Sequence, residues 1–184
     1  MNLLLTTCLL FLASGLAGAE AERPVAAEIV DVPAERRDYG AQIGNVRVRF
    51  ADGHAEMWTR LGRCIELRRS ASGRVGWTRY TNRNHYGEPV NNVLRVMLTN
   101  SRWQDFQAAL PFIREWDFAE DDESVVVLSG GRHGAGVMQC FSLKTGKLTG
   151  TVKEGAAKEE MPEWARKYLE EQERKAATVK SGQK

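Results

Sequence analysis

The chain has 184 residues, 42% of them apolar and 27% charged, with a formal net charge of +2. That length suits one domain of ordinary size with a real core. A net charge this small removes nucleic acid and a membrane surface from the expected partners.

The first nineteen residues carry no Asp, Glu, Lys or Arg. They run through Leu3-Leu4-Leu5 and Leu9-Leu10-Phe11-Leu12 and close on Ala17-Gly18-Ala19, a small-x-small pattern. The apolar run is too short for a membrane span and is followed at once by Glu20, Glu22 and Arg23, so residues 1–19 read as a signal peptide cut after Ala19 or Ala21. Cys8 leaves with it. The expected location is periplasmic or secreted, with no stable membrane anchor. Charge is unevenly spread: Gly40 to Asn100 holds ten Arg, no Lys and four acids, whereas Ser101 to Glu123 holds two Arg and seven acids. The two stretches are expected to pair across one folded surface, with an anionic ligand on the Arg-rich side as the alternative.

Residues 20–38, with Pro24 and Pro33, read as an extended lead-in in which Ile29-Val30-Asp31-Val32 supplies an edge strand. A β-domain over 39–153 follows. Val46, Val48 and Phe50 alternate with Arg47 and Arg49, and Asp52-Gly53 turns the chain towards Ala55, Met57 and Thr59 in a hairpin. A second hairpin takes Ile65 and Leu67 through Ser72-Gly73 to the strand Val75 to Tyr80. Thr81 to Asn92, dense in Asn, Gly and Pro, reads as an exposed loop. After a strand from Val93 to Leu98, Ser101 and Gln104 make a capping box, with Trp103, Phe106, Gln107 and Leu110 at helical offsets before Pro111. Four strands follow: Ile113 to Phe118, Ser124 to Ser129, Val137 to Leu143 and Lys147 to Val152, the last pair joined at Thr145-Gly146. The unbroken run Val125-Val126-Val127-Leu128 marks a strand buried on both faces. Over 154–175, Pro162 opens an amphipathic helix with Trp164, Tyr168 and Leu169 on one stripe. Residues 176–184 read as a disordered tail. The expected class is mainly β: antiparallel sheets in a compact blade-like or sandwich arrangement, one short internal helix, and a C-terminal amphipathic helix.

Two stretches, NVRVRFADGHAEMWTRLGRCIELRRSASGRVGWTRY and IREWDFAEDDESVVVLSGGRHGAGVMQCFSLKTGKLTGTV, look like successive propeller-type blades of about four strands each. The elements SASGRVGW and SLKTGKL resemble repeats of exported bacterial propeller proteins. The order S-x-x-G-x-x-GW, LPFIREWDF, HG before a strand, TGK and PEWAR is similar to a group of exported bacterial proteins over most of residues 40–168. The resemblance implies a blade-like fold in a bacterial envelope and carries no chemistry. Two or three blades cannot close a ring that needs about four, so a sheet pair or a propeller fragment closed by the helix is expected.

Cys64 and Cys140 remain after export, in a compartment where a disulfide persists. A bridge would contribute about 4.5 kcal/mol through the loop it closes. Against it, Cys64 shares strand parity with Glu66 and Arg68, which points to a solvent face; two unpaired residues are the alternative. No CxxC or neighbouring His marks either thiol as a nucleophile.

Trp58 has the parity of His54, Glu56 and Arg60, which puts its ring on the polar face. With Arg60, Arg79 and the loop residues Asn82, Asn84 and His85 it makes a candidate ligand platform. Trp77 and Trp116 read as core, Trp103 and Trp164 as helix-docking residues. Arg132 and His133, in SGGRHGAG, are further candidate ligand-binding residues, although the loop's glycines match neither GxGxxG nor a P-loop. His54, His85 and His133 share no short metal-ligand spacing, there is no GxSxG, and Glu120 to Glu123 read as a solvated turn. No catalytic residue, cofactor or metal is assigned. The leading expectation is a non-catalytic domain binding a protein, peptide or glycan partner. The alternatives are a small hydrolase or metal enzyme using loop His and carboxylates, and a structural subunit docking by its C-terminal helix.

Overall fold

A computed structural model describes residues 23–31, 43–83, 89–99 and 102–181, and among them thirteen strands and one long helix; two of the strands, Asn82–Arg83 and Pro89–Val90, lie in the segment expected as an exposed loop. The predicted signal peptide lies outside the described residues, as do Asn84 and His85.

Three strands, β1 (Pro24–Val30), β2 (Asn45–Phe50) and β3 (Ala55–Met57), form the first antiparallel sheet in that order. The lead-in thus supplies an edge strand, with Ile29 opposite Val46. The second sheet runs β4 (Cys64–Arg69), β5 (Val75–Arg79), β8 (Val93–Thr99), β9 (Arg102–Gln107). Between β5 and β8, β6 (Asn82–Arg83) and β7 (Pro89–Val90) pair as a small ribbon. The third sheet is the meander β10 (Phe112–Phe118), β11 (Ser124–Gly130), β12 (Val137–Ser142), β13 (Leu148–Lys153). A 3₁₀ turn at Lys158–Glu160 leads to α1 (Glu163–Ser181), which runs past the expected end at Lys175.

Three apolar clusters order these pieces into four layers. Val46, Val48 and Phe50 of β2 pack on Val75, Trp77 and Met97 of the second sheet. From the other face of that sheet, Leu94, Val96 and Phe106 meet Ile113, Trp116, Phe118, Val125 and Val127 of the third. Val126, Met138 and Cys140 on the far face of the third sheet meet Met161, Ala165 and Tyr168. β11 is therefore covered on both sides, as its valine run predicts: Val125 and Val127 face the second sheet and Val126 faces α1. The two middle sheets are buried on both faces, where each large apolar side chain contributes about 1.5–3 kcal/mol.

Three sequence expectations are corrected here. The segment expected as an internal helix is strand β9, paired along β8 from Val93↔Gln107 to Thr99↔Arg102. Its capping-box residues and helical offsets are overridden by the ladder. Phe106 enters the core beside Leu94, and Asp105 lies opposite Arg95, a cross-strand ion pair that no local propensity records. Trp103 consequently docks no helix; it is 52% exposed, with the Arg95 guanidinium 4.8 Å from its ring centroid.

The first blade-like stretch is not one blade. Its hairpins enter different sheets, β2–β3 in the first and β4–β5 in the second, because Trp58 to Arg63 cross from one layer to the next. The second stretch does form one four-stranded sheet.

The Cys64–Cys140 bridge is also excluded: both thiols are free and buried. Cys64 belongs to the cluster between the first and second sheets, Cys140 to the cluster under α1. Stacked sheets lie about 10 Å apart, whereas a disulfide needs Cα atoms within about 7 Å. Parity misjudged Cys64 because β4 bulges between Ile65 and Arg68, with Glu66 at φ 49°, so Cys64 and Ile65 are both buried.

The uneven charge does pair within the fold. Arg68 meets Asp117 at 3.1 Å, and Arg79 and Arg95 meet Asp105 at 2.8 and 2.6 Å.

Candidate functional site

Beside the crossing from the first to the second sheet lies a cavity of about 350 Å³. Strand alternation builds its floor: Val75, Trp77 and Arg79 share one face of β5, and Arg95 stands directly opposite Trp77 on β8. The crossing segment supplies the wall, with Trp58, Thr59, Arg60, Leu61 and Arg63. Trp58, Arg60 and Arg79 are therefore brought together as expected.

Trp58 is not on the polar face. Its shared parity with His54 and Glu56 holds, but the register sets Glu56 opposite Val48, and the Trp58 N–H donates to the Val46 carbonyl at 2.9 Å. That face is the core face of β2. The ring lies 6.2 Å from Phe50 and 6.4 Å from Trp77, and its Nε1 donates to Glu56 Oε2 at 3.1 Å. Met57, expected inside, is 41% exposed.

The polar groups of the cavity are mostly donors. Thr59 Oγ1 accepts from the Val46 N–H at 2.9 Å and from Cys64 Sγ at 3.4 Å, and donates to Asn45 Oδ1 at 3.4 Å. Burial pushes the Cys64 thiol up and the Thr59 contact only partly opposes it, so the group stays protonated and unreactive. Arg79 and Arg95 share one carboxylate, Asp105, which accepts both Arg95 Nε at 2.6 Å and Arg95 Nη2 at 2.7 Å. Trp77 Nε1 and Arg79 Nε are buried with no hydrogen-bond partner. Such donors are costly to leave unmet. The cavity also takes in Arg63, Arg95 and Trp77, which sequence reasoning did not group with it; Trp77 is core, as expected. The alternation of Trp77 with Arg79 was a usable signal for the first strand; the Arg95–Asp105 pair was hidden by the helix expectation.

Other predicted residues lie apart. Asn82 belongs to β6, where it is paired with Val90. Arg132 and His133 are exposed in the β11–β12 connection and do not line the cavity. That glycine-rich connection offers no anion cradle: Arg114 Nη2 donates to the Gly131 and Gly134 carbonyls at 2.9 and 3.1 Å, and Glu154 Oε2 accepts from the Gly136 N–H at 2.6 Å. Its polar groups serve internal closure.

A larger cleft of about 580 Å³ separates α1 from the third sheet, with an apolar floor of Phe118, Val126 and Tyr168 and an acidic rim of Glu120, Asp121, Glu163 and Glu171. The apolar stripe of α1 packs on this chain's own third sheet, with Trp164 partly buried against it as its reading as a helix-docking residue expects.

For hydrolysis or metal chemistry, His54 is the described histidine with carboxylates in reach. Its Nδ1 is 2.5 Å from Asp52 Oδ1 and its Nε2 3.6 Å from Glu56 Oε1. The ring stacks on Phe50 at 4.3 Å on an exposed hairpin. The three residues are sequence neighbours rather than a cleft. Among the described residues no group of three or more His, Cys, Asp or Glu is placed to hold a metal ion. The hydrogen bond to Asp52 raises the His54 pKa above its ordinary 6.5 and lowers that of Asp52. Since the folded pKa is the higher one, the stabilisation is complete below the unfolded value and fades as pH rises through the folded one. NMR titration of His54 is expected to give a midpoint above 6.5, and Asp52→Asn to bring it down. An unchanged midpoint in the variant would dismiss Asp52 as the cause.

No helix among the described residues is long and apolar enough to cross a membrane. The fold and cavity define a stacked antiparallel-sheet domain with a cationic, aromatic-walled pocket. Comparison with known protein families, curated proteins and solved structures finds no match.

Proposed function

We propose that this is an exported, non-catalytic β-domain that holds a protein, peptide or glycan partner in the bacterial envelope at the cavity walled by Trp58, Arg60 and Arg79. The observation that carries the reading is a cavity lined by four arginines and by Trp58 and Trp77, among whose lining residues two buried donors, Trp77 Nε1 and Arg79 Nε, lack partners. Preformed pockets with a few convergent polar groups are the usual form of a binding site. Export rests on the apolar first nineteen residues and their Ala17-Gly18-Ala19 ending.

The test is capture of partners from an envelope extract on the immobilised protein, compared with Trp58→Ala and Arg60→Glu. Arg60 is exposed, so its variant keeps the fold, whereas Trp58→Ala must first show an unchanged circular dichroism spectrum. The reading requires one partner to be lost from both variants. Identical capture by all three proteins would refute it.

A further inference from the structure

We infer that the cavity recognises a carboxylate on an acidic peptide segment, with an apolar neighbour of that residue resting on Leu61. The inference rests on reading this cavity as the partner site. Its lining contains Arg60, Arg63, Arg79 and Arg95 and no Asp or Glu. Asp105 answers two of these guanidiniums, Arg79 and Arg95, with one carboxylate. Arg60 and Arg63 are exposed and tied to no carboxylate among the described residues. The neighbouring Glu56 carboxylate is occupied by Trp58 Nε1 at 3.1 Å. The cavity therefore keeps a surplus of positive charge.

The unmet groups have the same sense. Trp77 is 1% exposed and its Nε1–H has no acceptor; Arg79 Nε–H, also buried, has none either. Both can only donate, so the complementary ligand atom is an acceptor. The exposed guanidinium forks of Arg60 and Arg63 at the same cavity suit the two oxygens of a carboxylate.

The apolar features favour peptide over sugar. Glycan recognition relies on open aromatic faces, but Trp77 is sealed and Trp58 is half-buried against Phe50 and Trp77. Leu61, at the rim, is 77% exposed. It offers an aliphatic contact to a side chain such as Leu or Val next to the acid, which a uronic acid lacks.

The test is NMR of the 15N-labelled protein, following the Trp77 indole N–H during titration with the hexapeptide Gly-Ser-Glu-Leu-Ser-Gly, blocked at both ends. Its Gln-for-Glu counterpart and trigalacturonate are titrated in parallel, each to millimolar concentration. The Glu peptide is expected to shift the indole resonance, the Gln peptide to bind at least about tenfold more weakly, and added salt to weaken the Glu peptide. Arg63→Gln, at an exposed position, is expected to reduce affinity about tenfold, and Arg79→Gln to abolish it. A response to trigalacturonate alone would overturn the peptide assignment and leave the binding site standing. Equal binding of Glu and Gln peptides would overturn the carboxylate. No response to any probe would overturn the inference itself, while partner capture lost on Arg60→Glu would still uphold the binding reading.

Discussion

Replacing Trp116 with alanine is expected to destabilise the protein by about 4 kcal/mol, the largest effect of any single side chain here. Trp116 is fully buried between the second and third sheets. Its Nε1 donates at 2.9 Å to the carbonyl of Glu66, the residue held at φ 49° in the β4 bulge. One indole therefore fills the inter-sheet core and satisfies the carbonyl that the bulge removes from its ladder. Trp116→Phe keeps most of the apolar contact but loses the donor, and should cost about 2 kcal/mol. The facing surface is Gly76, where an added Cβ would lie 2.7 Å from Trp116 Cη2. Gly76→Ala should cost about 1–3 kcal/mol by overpacking, and less in the Trp116→Phe background, whose ring is shorter. Denaturant midpoints with unchanged slopes measure all four proteins. Additive effects of Gly76→Ala and Trp116→Phe would mean that the two residues do not oppose each other.

Asp117→Ala is expected to cost about 2 kcal/mol and to loosen α1 selectively. The Asp117 side chain is 12% exposed, and its Oδ2 accepts from Arg68 Nη1 at 3.1 Å and Lys175 Nζ at 2.6 Å. Gln172 Nε2 adds a contact at 3.3 Å. One carboxylate thus ties β10 to β4 on one side and to the middle of α1 on the other. Its loss leaves two cations that are 36% and 48% exposed and can be rehydrated, which keeps the cost below that of breaking a fully buried pair. An isolated helix of this length is marginal in water. Amides of residues 170–178 should then exchange faster, while those of β11, covered on both faces, change only with the global stability. Unchanged exchange in α1 would show that Met161, Ala165 and Tyr168 hold the helix unaided.

Most strands were legible because period-two alternation and turn residues are local. Asp52-Gly53 and Thr145-Gly146 sit at turns where the glycine takes φ 90° and 71°, and the valine run identified the doubly covered strand. β9 was not legible. Trp103, Phe106 and Gln107 satisfy a helical spacing, whereas in β9 Trp103 and Phe106 fall on opposite faces, and only the partner strand β8 imposes that arrangement. The site was half-legible. Trp58, Arg60 and Arg79 do line one cavity, but the ring of Trp58 was assigned the wrong face. Parity tells which residues share a side and leaves open which side is covered.

The amino-acid pattern alone fixed a β-rich, antiparallel chain with an amphipathic terminal helix, since each of those features needs only neighbours within a few residues. Tertiary structure decided the division of the first two hairpins between two sheets, the burial of Cys64 and Cys140 in separate layers, and the cavity beside which Trp77 Nε1 and Arg79 Nε are left without acceptors. Those outcomes depend on which distant strand supplies the missing hydrogen bonds and apolar cover, a choice made by the free energy of the whole stack and written in no local stretch of residues.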